Sequence, residues 1–139
     1  MRAIGLDLGS KTVGIAISDA LGMLARPVKT IRFMEDDYED ALDKVLTEIN
    51  DNEVSTIVLG LPKHMNGDIG IRGEISLMFK EMLEDNLDLP VVLWDERLST
   101  KLSEKMLINV NMRRDKRKQV IDQAAAVNIL QGYLDSVKK

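Results

Sequence analysis

Apolar residues gather in two short runs near the start of the chain, Ala3 to Leu8 and Val13 to Ser18, with the turn-rich stretch Gly9-Ser10-Lys11-Thr12 between them. A connection of that length between two such runs predicts a pair of antiparallel strands. A third strand is expected over Val28 to Phe33, after a turn near Ala20-Leu21-Gly22, with Pro27 at its start where a missing N–H does least harm. The period then lengthens: Tyr38, Leu42, Val45, Leu46 and Ile49 recur at helical spacing, and acids fill the other face. Ser55 to Leu59 is rich in β-branched residues and predicts a buried strand ending at Gly60. A glycine-bearing loop, Gly60 to Gly70, leads to a second helix from Ile71, with Ile71, Ile75, Met78, Phe79, Met82 and Leu83 on one stripe and an end before Pro90. Val91 to Trp94 predicts another buried strand, stopped by Asp95-Glu96-Arg97. Ser99 is a candidate cap for a third helix to about Ile108. A basic stretch then precedes a last helix over roughly Gln119 to Ser136.

An antiparallel start followed by alternating helix and strand implies an α/β sheet with one antiparallel edge region and helices on both faces. No repeat, low-complexity linker or composition break divides the chain, so residues 1–139 are expected to form one domain. In such sheets ligands gather beyond the carboxyl ends of the parallel strands. Acids stand at several of those ends.

Composition narrows the chemistry. With no cysteine and a single histidine, His64, the chain excludes disulfides, thiolate metal sites, a cysteine nucleophile and multi-histidine centres. Carboxylates are abundant, 23 Asp plus Glu against 19 Lys plus Arg, which suits hard oxygen-ligated cations such as magnesium or manganese. The net charge of −4 is unevenly spread: nine acids and one base between Glu35 and Glu53 carry −8, leaving +4 for the remainder. No run approaches the roughly 18 apolar residues of a membrane span. The first residues do not resemble a signal peptide, so a cytoplasmic protein without membrane partners is expected.

Asp7 interrupts an apolar strand, and alternation puts it on the face of Ala3 and Gly5, where small neighbours leave room. On its own it is read more simply as a turn-forming Asp at a strand end. Asp95 and Glu96 end a second strand and point to opposite faces, so one of them at most reaches a shared site; otherwise Asp95 caps a helix and Glu96 pairs with Arg97. Asp122 lies on the stripe Asp122, Ala125, Ala126, Ile129, Tyr133, where an acid in the first turn of a helix also suits the macrodipole. Convergence of the three would need a cation to offset their repulsion, and such a site suits metal-assisted phosphodiester hydrolysis.

Four blocks carry a family resemblance: Leu6-Asp7-Leu8-Gly9-Ser10-Lys11-Thr12-Val13-Gly14-Ile15-Ala16-Ile17-Ser18-Asp19; Gly60-Leu61-Pro62 with Met65-Asn66-Gly67; Asp95-Glu96-Arg97-Leu98-Ser99-Thr100; and Arg117-Lys118 with Ile121-Asp122-Gln123-Ala124-Ala125. In this order they resemble the YqgF family, the Holliday-junction-resolvase-like proteins regarded as nucleases of pre-16S ribosomal RNA. The resemblance implies an RNase H-like fold with a mixed five-stranded sheet, its first three strands antiparallel. It also implies that Asp7, Glu96 and Asp122 hold magnesium or manganese, with Asp95 in place of Glu96 if the strand register is off by one. Many members carry Arg after the lysine of the first block, where this chain has Thr12. Lys11 is then the phosphate contact of that loop.

Arg113, Arg114, Lys116, Arg117 and Lys118 form a basic footprint suited to a phosphate backbone, and Arg97 is expected to join it. His64 is expected on the surface, and Trp94 and the eight methionines in the core. Two Phe, two Tyr and one Trp do not make a base-stacking platform. The expected function is metal-dependent maturation of precursor ribosomal RNA, with ribosomal particles as possible partners. The alternatives are resolution of branched DNA and a non-catalytic RNA-binding role in ribosome assembly.

Overall fold

The computed structural model describes residues 2–63, 66–96 and 114–137, with side chains in the last helix from Ala124 onward. Strands β1 (Ala3–Leu8), β2 (Thr12–Ser18) and β3 (Ala25–Arg32) come first, then helix α1 (Tyr38–Asp51), β4 (Thr56–Leu61), α2 (Ile71–Asn86), β5 (Val91–Asp95) and α3 (Arg114–Val137). The five strands form one sheet in the order β3-β2-β1-β4-β5. β2 pairs antiparallel with both β1 and β3, while β4 pairs parallel with β1 and β5. The expected mixed sheet with an antiparallel first half is therefore present.

Alternation along β1 divides the molecule into two layers. Ile4, Leu6 and Leu8 face a large core closed by α1 and α2, which contribute Leu42, Val45, Ile49, Phe79 and Leu83. Ala3, Ala16 and Val58 face a smaller core closed by Ala126, Ile129, Leu130 and Leu134 of α3. This second layer is thin because its strand residues are small. A Cβ on Gly5 would lie 2.7 Å from Leu130 Cβ and 2.9 Å from the Ala126 carbonyl oxygen, so α3 rests directly on the β1 backbone.

Several boundaries differ from the periodicity reading. β3 begins at Ala25, not Val28, and ends at Arg32, so Pro27 lies inside it. It is tolerated because β3 is an edge strand and the ladder is irregular there: Ile15 pairs with Lys29 and Ala16 with Pro27, leaving Val28 as the extra residue of a bulge. The last helix starts by Arg114 rather than Gln119, so residues 114–118 are helical and Asp122 is not in its first turn. The macrodipole reading of Asp122 is thereby lost. On α2 the stripe is displaced: Gly73, Ser76, Phe79 and Leu83 are buried, whereas Ile71 and Met78 are exposed. Hydrophobic spacing misses this because α2 approaches the sheet through its two smallest buried residues. A Cβ on Gly73 would meet the Pro62 carbonyl at 2.8 Å. The helix expected over Ser99 to Ile108 lies outside the described residues.

Candidate metal and phosphate site

The site begins with a problem of reach. Asp7 belongs to β1 and Glu96 follows the end of β5, with β4 between them. Strands two places apart are about 9–10 Å from one another. Glu96 crosses that gap because the intervening residue of β4 is Gly60: a Cβ there would lie 3.1 Å from both Cγ and Cδ of Glu96 and 2.5 Å from Ile129 Cδ1. The Glu96 side chain thus occupies the space that any other residue at position 60 would fill. It ends in a side-chain hydrogen bond with Asp7.

Alternation decides between the two neighbouring acids. Trp94 packs in the α3 layer, its ring against Gly132, so Asp95 points to the opposite layer and Glu96 returns to the Asp7 face. Asp95 sits 3.9 Å from Lys63 Nζ instead. The Asp7–Glu96 pair is electrostatically strained. Burial, reinforced by the Asp7 charge and the hydrogen bond to Asp7, pushes the Glu96 carboxyl up to about 8, with Arg72 opposing the shift and Asp95 adding to it. The two carboxyl groups therefore keep one proton between them at neutral pH. Two oxygen-only ligands pressed together under these conditions fit a hard divalent cation, which would replace the shared proton.

Asp122 lies on α3, one helical turn before Ala126, the residue whose carbonyl rests over Gly5. Its main chain is therefore on the same layer of the sheet as Asp7; its side chain is outside the described set. Among the described residues, no group of three or more Asp, Glu, His or Cys side chains surrounds a common metal position.

Of the expected phosphate contacts, Lys11 is exposed at the tip of the β1–β2 connection. That tip is fixed by main-chain bonds, Gly9 N to Thr12 O at 2.7 Å and Phe33 N to Lys11 O at 2.9 Å. Thr12 is the first residue of β2 and pairs with Arg32. Arg114, Lys116, Arg117 and Lys118 occupy the start of α3, and Arg97, Arg113 and His64 lie outside the described residues.

Sequence reasoning missed Arg72. From the first turn of α2 it donates through Nη2 to the Leu8 carbonyl at 3.2 Å and through Nη1 to Tyr38 Oη at 3.1 Å. It thereby ties α2 and the start of α1 to the residue that follows Asp7. One signal was available: a cation in the first turn opposes the helix dipole, and such a local mismatch marks a residue placed for another reason.

Residues 1–136 match the family model described as RuvX, Holliday junction resolvase. A Bacillus licheniformis protein named "Putative pre-16S rRNA nuclease" is 53% identical over 137 residues, covering 99% of each chain. One of the same name from Bacillus subtilis is 52% identical with the same coverage. Among solved structures, Thermus thermophilus RuvC in complex with a Holliday junction substrate aligns at a TM-score of 0.62 and 11% identity, over 99% of this chain and 96% of that one. The fowlpox virus resolvase in complex with Holliday junction DNA aligns at 0.61 and 16% identity over the whole of both chains. The fold is RNase H-like.

Proposed function

Because this chain belongs to the RuvX family of nucleases, we propose that it hydrolyses phosphodiester bonds with a divalent metal, acting on the precursor of 16S ribosomal RNA. One observation carries the metal site: the buried Asp7–Glu96 pair, brought together across Gly60. Asp7, Glu96 and Asp122 would hold magnesium or manganese, and Asp95, turned toward Lys63, is left out of the ligand set. The bound metal supplies an activated water and charge neutralisation at the leaving oxygen. The Asp7–Glu96 pair would release its shared proton to take up the ion, and Arg72 keeps the end of β1 in place. Lys11, Arg97 and the bases from Arg113 to Lys118 would hold the phosphate backbone on either side of the scissile bond. The family model's description leaves branched DNA as the alternative, but the names of relatives at 53% and 52% identity favour precursor ribosomal RNA, and the likeness to the solved resolvases extends only to the fold.

The test is a cleavage assay on a precursor 16S RNA end and, in parallel, on a four-way DNA junction, each with magnesium, manganese or chelator at fixed salt. RNA cleavage that needs the metal and disappears in Asp7→Asn is the expected result. Junction cleavage without RNA cleavage overturns the substrate. Binding with strong salt dependence but no cleavage of either, with no divalent ion raising the melting temperature, overturns the nuclease reading in favour of a binding module.

A further inference from the structure

On the layer of the sheet opposite the Asp7–Glu96 pair, a cavity of about 520 Å³ opens between the end of β4 and the start of α2. Pro62, Lys63, Gly70, Ile71, Arg72 and Gly73 line it. Its volume falls within the roughly 300–1,000 Å³ of sites that hold small-molecule-sized groups. Its chemistry is mixed in a particular way, with apolar walls and two cations. Ile71 is 77% exposed and Ile69 is 41% exposed beside it, so large apolar side chains stand open at the mouth. Gly70 caps α2 with extended backbone and no side-chain hydrogen bond, which leaves the positive end of the helix dipole directed at the opening. The cavity is also built into the packing: only a glycine at 73 lets the first turn of α2 come so near Pro62, whose carbonyl oxygen would lie 2.8 Å from an added Cβ.

We propose that this cavity is a subsite for one nucleotide of the substrate strand, with its phosphate on Lys63 and Arg72 and its base or sugar on Pro62 and Ile71. Arg72 joins the subsite to the cleavage centre, since the same guanidinium holds the Leu8 carbonyl next to Asp7. Lys63 reaches Asp95 at 3.9 Å, a spacing longer than a tight hydrogen bond, so a phosphate can compete for it. The inference rests on the nuclease reading and adds to it a second place where the strand is gripped.

The experiment is equilibrium binding of a fluorescent single-stranded RNA and of a DNA of the same sequence, in chelator so that nothing is cut, across a salt series. Lys63→Gln and Arg72→Gln should each weaken binding about 5- to 10-fold and reduce the slope of log K against log salt by about 0.7, the single-strand value per phosphate contact. A residue with a purely structural role would leave that slope alone. Arg72 also braces the fold, so Ile71→Asp, at an exposed position, serves as the second variant and should weaken binding by a similar factor. Loss in one probe only identifies which strand the subsite serves. Unchanged affinity and slope in Lys63→Gln together with unchanged affinity in Ile71→Asp overturns the subsite. If the wild-type protein cuts RNA with magnesium or manganese in that case, the nuclease reading survives; if it binds but cuts neither substrate, both fall.

Discussion

Asp7 and Glu96 hold one proton between them, and this gives the folded chain a pH dependence that can be measured. The Glu96 carboxyl stands near 8 in the folded protein against an ordinary value of 4.5. Its folded value is raised, so the unfolded chain releases a proton that the native state keeps, and stability is complete below about 4.5 and declines as pH rises toward 8. Each unit corresponds to about 1.4 kcal/mol. In chelator, the melting temperature should therefore fall by several degrees between pH 5 and pH 8, and Asp7→Asn should flatten the decline. Magnesium should stabilise the protein more at pH 8 than at pH 5, because at the lower pH it must displace the proton. A stabilisation independent of pH would mean that the ion binds elsewhere. The same Asp7→Asn change should lower kcat for RNA by at least about a hundredfold, the scale on which single charge-stabilising groups count.

At the level of elements, glycines set where helices and side chains can go. Gly60→Ala puts a methyl group where Glu96 and Ile129 already lie, so either Glu96 is turned from Asp7 or α3 is pushed outward. Cleavage should fall at least tenfold with a stability loss of about 1–3 kcal/mol, the usual cost of overpacking. Gly5→Ala, which collides with Leu130 and the Ala126 carbonyl, should cost a similar amount in chemical denaturation. Wild-type activity in Gly60→Ala would show that Glu96 need not cross β4. The positions of the strands and helices were legible in the sequence because periods of two and of 3.6 follow from local geometry. Asp7 and the Asp95-Glu96 pair stood out as acids ending apolar strands. From the residues alone the choice between Asp95 and Glu96 stayed open and the resemblance preferred Glu96; its contact with Asp7 depends on which face of β5 meets α3 and on Gly60 between them, and no local pattern encodes either. Arg72 was missed for the same reason, as its partners Leu8 and Tyr38 lie 64 and 34 residues away in the chain.

Across the whole molecule, the sheet separates the charges. The acidic helix α1 lies on the layer shared with α2, while α3, whose sequence begins with the basic residues, packs on the other layer through Ala126, Ile129, Leu130 and Leu134. Glu39 and Asp43 are exposed on α1, and the double change Glu39→Gln with Asp43→Asn should raise RNA affinity a few-fold at about 0.01 M salt, where charges act over about 30 Å. At about 0.15 M, with a range near 8 Å, the affinity should match wild type in the same titration. A large effect at the higher salt would place the bound strand against α1. The two layers also differ in when they can form. All five strands, α1 and α2 precede α3 in the chain, and among the described residues α3 alone covers Ala3, Ala16 and Val58. A chain still emerging from the ribosome, with residues up to about 110 outside the exit tunnel, can complete the sheet and its larger core and lay Glu96 across Gly60, yet among the described residues nothing but α3 rests on Gly5, and α3 is not yet there. The layer that covers the Asp7 face of the sheet is thus the last to form, closing only when the final helix has been translated.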